Sequence, residues 1–256
     1  MKTHILAVIA ASTIATAPAL AQQFNGATLG LAYQDVGGDG GDFEVTSLSG
    51  GLEFGVTQNF AIGANVETIG SDDFIDDIFV GTIRGIYNSS PNSAVGAFYS
   101  VENVDDFETT LYGIEGAFTS ANSMFNAYLG AADSDAFGDL DVLGVAGFGF
   151  EFGVGAGVSL GLEYESYRVE DFLLVVDTGD IEDANITDTA LTARYSFLDG
   201  ASVYAKAGRI RAFGSDREAN VRIVGVDSSE YITVGAEYKF GRGALFDARS
   251  LRSFGG

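Results

Sequence analysis

The chain of 256 residues has no cysteine, no tryptophan, one histidine and two prolines. Without thiols it has no disulfide, no thiolate metal ligand and no cysteine nucleophile. Its histidine is His4, so a serine or carboxylate elsewhere has no imidazole in sequence reach to activate it. Basic residues are scarce: 13 Lys and Arg stand against 36 Asp and Glu, a formal net charge of −23. Such acidity repels phosphate backbones and excludes an electrostatic nucleic-acid binder. Also missing is an uninterrupted apolar run of roughly 18 residues, the length a helix needs to span a bilayer. Yet 46% of the residues are hydrophobic and 12% aromatic, which excludes a disordered chain.

What is present starts with an export signal. Met1 to His4 form a short basic start, Ile5 to Ala17 an apolar stretch, and Ala19-Leu20-Ala21 a small-x-small site. Cleavage is expected before Gln22, with Ala17-Pro18-Ala19 as a second possible site. Residues 1–21 are therefore read as a signal peptide, residues 22–240 as one folded unit, and residues 241–256 as a tail. Loss of Lys2 and His4 leaves no histidine and a net charge of −24. The destination is periplasm, outer membrane or medium.

From Phe24 onward the sequence alternates. In Phe60 to Glu67 and in Val158 to Glu165 every second residue is apolar, and those between are glycine, small or polar. Period two marks strands, and about ten residues with one apolar face is the pattern of a transmembrane strand. Twelve such segments are read: 25–35, 43–55, 60–69, 78–87, 93–102, 108–118, 124–132, 141–152, 158–168, 187–197, 202–211 and 230–240. Ten remain possible, because 103–107 and 169–186 are poorly bounded. Short connections alternate with longer acidic ones at 36–42, 70–77, 103–107, 133–140, 169–186 and 212–229. This predicts an all-β, closed antiparallel transmembrane barrel, with short periplasmic turns and long extracellular loops. Leu29, Leu31 and Tyr33, with Ile232, Val234, Ala236, Tyr238 and Phe240, would face lipid; Tyr87, Phe118, Phe197 and Phe240 would form a periplasmic aromatic girdle. The run Phe172 to Val176 is read as the upper part of two strands, with a constriction loop as the alternative.

A six-residue pattern, Gly/Thr-x-Glu/Arg-x-x-apolar, closes every even strand. Its charged positions are Glu53, Arg84, Glu115, Glu151, Arg194 and Glu237, separated by 31, 31, 36, 43 and 43 residues. One repeat is then one hairpin, and closure would stack the six charges into a ring at the periplasmic mouth. Each Arg would lie two strands from an acid on both sides, roughly 10 Å at the strand spacing of a sheet. Glu67, Glu163, Glu165, Asp188, Lys206 and Lys239 share the inward parity and complete the expected pore lining.

The last strand, Thr233-Val234-Gly235-Ala236-Glu237-Tyr238-Lys239-Phe240, reads polar-x-Gly-x-x-aromatic-x-aromatic. It resembles the signal that Gram-negative outer-membrane barrels present to their assembly machinery, with Thr233, Gly235, Tyr238 and Phe240 at the matching positions. The resemblance to porin-like barrels covers residues 22–240 and implies the cell outer membrane as location. It implies outer-membrane lipid, lipopolysaccharide and the barrel assembly machinery as partners. It departs at the end, since sixteen residues follow Phe240. They are read as a periplasmic extension; folding back against the acidic lumen is the weaker reading.

The inward face of Glu, Asn, Thr, Ser and Gly leads to a passive channel for small hydrophilic solutes or ions, leaning toward cations. A non-conducting structural or adhesive barrel, plugged by its own salt bridges, is the alternative. No enzyme is expected: only Lys206 and Lys239 remain as bases for a serine, and neither has a convincing serine neighbour in sequence. No cofactor or metal is expected. Asp133 to Gly138 begins like a calcium loop but lacks the acid that closes one. Asp72, Asp73, Asp76 and Asp77 are read as solvated loop residues, with loose divalent-ion binding as the sharper option. Oligomeric state is not legible.

Overall fold

The alternation becomes a ladder that meets itself. In the computed structural model, residues 23–38, 42–71, 78–104, 107–134, 142–169, 174–176, 179–181, 183–216, 221–241, 243 and 245–247 are described. The strands are β1 (Gln23–Gly38), β2 (Phe43–Gly55), β3 (Phe60–Ser71), β4 (Ile78–Ser90), β5 (Ser93–Val104), β6 (Phe107–Thr119) and β7 (Ser123–Ser134). They continue as β8 (Val142–Gly155), β9 (Val158–Val169), β10 (Leu174–Val176), β11 (Gly179–Ile181), β12 (Asp183–Leu198), β13 (Ala201–Asp216) and β14 (Val221–Gly241). Twelve of them form a closed barrel in the order β1-β14-β13-β12-β9-β8-β7-β6-β5-β4-β3-β2. Every described pairing is antiparallel; closure joins β1 to β14, from Gly26 opposite Gly241 to Gly38 opposite Ser229. No helix among the described residues is long and apolar enough to cross a membrane.

All twelve expected strands are present, so the ten-strand option falls away. Several run longer than their apolar alternation. β5 and β6 meet at Val104 opposite Phe107, leaving only residues 105–106 between them, and β13 and β14 reach Asp216 opposite Val221. The connections expected at 103–107 and 212–229 are therefore largely sheet. The backbone ladder continues past the point at which the strict apolar–polar alternation ends. The run ending at Val176 is corrected too. Leu174–Val176 pairs with Gly179–Ile181 as a separate two-stranded sheet, and continues neither β9 nor β12.

At the other end the turns are tight. Between β8 and β9, Ala156 and Gly157 both take positive φ, 54° and 77°, the handedness that matches the twist of the flanking strands. The outward face is apolar as expected: Leu29, Leu31, Ile232 and Val234 are each more than half exposed. Phe24, Phe60, Tyr87, Phe118, Phe152, Phe197 and Phe240 are exposed beside the short turns. This girdle has more members than the four read from parity at even-strand ends.

Candidate functional site: the barrel lumen

The inward faces of β4 to β8 carry enough bulk to fill their half of the barrel. Val80, Ile86, Phe98, Leu111, Tyr128 and Val145 are all buried there. Aromatic rings take this side because glycine faces them across the ladder. Phe98 pairs with Gly113 and Tyr128 with Gly147. A Cβ on Gly147 would lie 2.3 Å from the Tyr128 ring, so only glycine leaves the ring its seat. The same device recurs on the other half, where Tyr204 lies over Gly235 and Tyr231 over Gly208. The alternation counts these glycines only as part of a small and polar inward face. The signal available in the sequence was an inward aromatic with glycine as its cross-strand partner.

The open space lies against β1–β3, β9 and β12–β14. A cavity of about 250 Å³ is lined there by Gln34, Ser49, Asn65, Thr192, Tyr204 and Tyr231, among others; from β4–β8 only Ile78 reaches it. Its charged lining comprises Glu67, Glu163, Glu165, Asp188, Arg194, Lys206, Glu237 and Asp247. Among the described residues, six acids thus face two bases. Lys206 Nζ is 2.6 Å from Glu163 Oε2, and Thr192 donates to the other carboxylate oxygen of Glu163 at 3.1 Å. The Tyr231 hydroxyl donates to Asp188, and Tyr167 donates to Glu165 at 2.6 Å.

The six repeat charges split between the two halves. Arg194 reaches Glu151 on β8 at 3.3 Å and Glu237 on β14 at 2.9 Å, each two strands away. Its guanidinium also donates to Ser202 and lies 5.1 Å over the Tyr204 ring. Lys239 joins Glu237 at 3.1 Å. These side chains keep contact with water: Glu151 is 36% exposed and Arg194 20%. On the packed half, Arg84 Nε lies 3.0 Å from Glu115 Oε1, and the two side chains are 1% and 0% exposed. Glu53 is also buried, accepting from Asn25 at 2.9 Å. Glu115, Arg84 and Glu53 are therefore inward but not water-facing.

The tail explains part of that burial. Gly241 and Gly243 take φ of 62° and 77°, and Gly243 N donates back to Phe240 O, so the chain reverses as soon as β14 ends. It then enters the barrel mouth, where Phe246 is buried beside Ala61, Ile86, Ala94 and Ala117. The described part of the tail is thus inside the barrel and is not a free extension. The positive φ at Gly241 and Gly243 goes with the end of β14 and the turn of the chain inward.

The residues matched to an assembly signal sit on β14. Tyr238 and Phe240 face outward, 42% and 43% exposed, with ring centroids 4.5 Å apart. Thr233 and Gly235 face inward; Thr233 donates to Gln34 at 3.0 Å. Among the described residues there is no cluster of three potential metal ligands. Asp72, Asp73, Asp76 and Asp77 lie outside the described residues, as do Asp135 to Gly138 of the loop that begins at Asp133.

The fold of this closed ring of twelve strands has counterparts among solved structures. The NanC porin matches with a TM-score of 0.57 at 9% identity, over 82% of this chain and 98% of that one. An outer membrane channel of Pseudomonas putida F1 matches with 0.53 at 14% identity, over 88% and 100%. The KdgM porin, solved in complex with disordered oligogalacturonate, matches with 0.51 at 10% identity, over 82% and 98%. The fold is that of small outer-membrane porins. No protein-family model matches the chain. No curated protein matches it in sequence.

Proposed function

We propose that this protein is an outer-membrane channel for passive diffusion of small hydrophilic solutes or ions, with a preference for cations. The observation that carries the reading is the one-sided lumen: a cavity of about 250 Å³ whose charged wall has, among the described residues, six acids and two bases. Both bases are held by acids, Arg194 by Glu151 and Glu237 and Lys206 by Glu163, so neither stands as an isolated positive site. Fixed negative charge on a narrow wall raises the local cation concentration. The apolar outer belt and porin-like fold support insertion in the outer membrane, where the short-turn end would face the periplasm. Lipid and lipopolysaccharide would contact the belt, and the assembly machinery would read β14. The two lysines sit in ion pairs with glutamates, an arrangement that suits a lining better than a catalytic base. A non-enzymatic role follows.

A second reading, a non-conducting barrel, is favoured by the packed β4–β8 half and the inserted tail. Single-channel recording in planar bilayers separates the two. Unitary steps, with a reversal potential in a KCl gradient that favours K⁺, are expected. A heat-modifiable, folded barrel that remains silent would select the second reading, and an anion-selective one would refute the charge argument.

A further inference from the structure

The tail runs from one wall of the barrel mouth toward the opposite one. Gly243 lies beside β14 and β1, where an added Cβ would come within 3.1 Å of Lys239 Cγ and 3.2 Å of Thr28 Oγ1. Leu245 N donates to Glu53 Oε2 on β2 at 3.3 Å. The Phe246 carbonyl accepts from Asn65 Nδ2 on β3 at 3.1 Å and from Arg84 on β4 at 2.6 Å; the Asp247 carbonyl accepts from the other terminal nitrogen of Arg84 at 2.6 Å. The Phe246 ring joins a cluster that extends to Ala94 on β5 and Ala117 on β6. In the ring of twelve, β6 lies six positions from β14, diametrically across.

These contacts have the make-up of a peptide-binding site. A charged fork grips two successive backbone carbonyls, a carboxylate receives a backbone N–H, and an apolar socket takes one ring. Ala61, Ala94 and Ala117 are small where larger inward residues would fill the socket. Gly26 fits the same picture, because a Cβ there would lie 2.5 Å from Gly243 N and block the chain's entry. The arrangement is specific to the main chain and one aromatic, so it recognises a short peptide and not a free ion or sugar.

We propose that the short-turn mouth is a binding site for the chain's own carboxy-terminal segment, and that occupancy of this site by Leu245 to Asp247 sets the conductance of the lumen. The inference rests on the channel reading. With the segment seated, the mouth is narrowed on the β1–β6 side, and solute passes along the Arg194–Glu237 wall. With it released, Arg84, Glu115 and Glu53 become water-facing and the aperture widens. Asp247 also lines the cavity, so the seated segment adds an acid to the path it narrows.

The experiment compares the full chain with one ending at Arg242, both refolded and recorded in planar bilayers. The truncated barrel is expected to conduct at least twofold more than the full chain. Because the chain has no cysteine, an Ala94→Cys/Phe246→Cys pair supplies a second measurement. Oxidation should form an intramolecular disulfide in the folded barrel with conductance near that of the full chain, and dithiothreitol should raise it toward the truncated value. A conducting barrel unchanged by truncation, or by reduction of the disulfide, overturns the gating and leaves the channel reading standing. Failure of the disulfide to form in a folded barrel overturns the binding site itself. Silence of every form despite an efficient disulfide overturns the channel reading and the conductance claim together.

Discussion

Glu115 and Glu151 occupy the same position in the same repeat, three residues before an apolar strand end, yet their side chains have opposite surroundings. Glu115 is fully buried against Arg84, while Glu151 keeps 36% of its side chain in contact with solvent. Removing one member of a buried pair leaves the other charge uncompensated, a cost of about 3–5 kcal/mol. Glu115→Gln should therefore destabilise the barrel on that scale, read as an earlier heat-induced shift in gel migration or a lower urea midpoint. Glu151→Gln acts on a half-buried pair from which Arg194 keeps its bond to Glu237, so its cost lies near the low end, about 0–1 kcal/mol. Its expected effect is on permeation: Arg194, which lines the cavity, loses one of its two acids, so the wall becomes less negative and the K⁺ over Cl⁻ preference falls, while the melting of the barrel hardly moves. Weaker selectivity in Glu115→Gln with unchanged stability would show that its burial is misjudged. The glycine seats give a third residue-scale test. A Cβ on Gly208 would lie 2.2 Å from the Tyr231 ring, so Gly208→Leu must displace it. Overpacking of this kind costs about 1–3 kcal/mol, and it should also break the hydrogen bond from Tyr231 to Asp188.

Among the elements, β14 carries two duties on its two faces. Inward, Tyr231, Thr233 and Glu237 build the cavity wall; outward, Tyr238 and Phe240 form the last aromatic pair before the chain reverses. The strand also closes the barrel, with Phe240 opposite Ala27. Phe240→Ala is expected to lower the amount of heat-modifiable protein recovered from the membrane fraction several-fold. The chain ending at Arg242 should insert, since every rung of the β1–β14 ladder remains. If the truncation is the one lost from the membrane, the assembly signal lies beyond Phe240. β10 and β11 illustrate the opposite case. Leu174 to Val176 read as a continuation of barrel strands because an apolar run fits an extended strand and a hairpin equally well.

For the whole molecule, the proposed orientation, with the short turns toward the periplasm, is tested by proteolysis. Trypsin added to intact cells should cut on the long-loop side, as at Arg217, and chymotrypsin should leave the aromatic residues beside the short turns untouched. Cleavage next to Tyr87 in intact cells would reverse the orientation. A net charge of −23 on the chain also predicts a salt dependence. Loop acids are screened over about 8–10 Å at physiological ionic strength, whereas charges inside the lumen are screened much less. Asp72→Asn/Asp73→Asn should therefore reduce cation preference at low salt and leave it unchanged at high salt, measured as the reversal potential in the two regimes.

The barrel itself was legible because its determinants are local. Alternation sets the two faces of each strand, and tight turns set antiparallel neighbours. A charge repeated once per hairpin sets the depth at which the Glu and Arg residues lie, which is why Arg194 finds Glu151 and Glu237 on alternate strands. What alternation does not encode is which part of an inward face meets water. Arg84 and Arg194 share their motif, but the first is covered by the Phe246 ring and held by the carbonyls of a segment arriving from residue 245 onward. The second faces an open wall. The tail had the same ambiguity. Glycines at 241 and 243 end a strand in any reading, but the direction of the turn is decided by the small residues of β3, β5 and β6 and by the fork of Arg84. Those partners lie 129 to 185 residues from Phe246 in sequence and come together only when the ring closes.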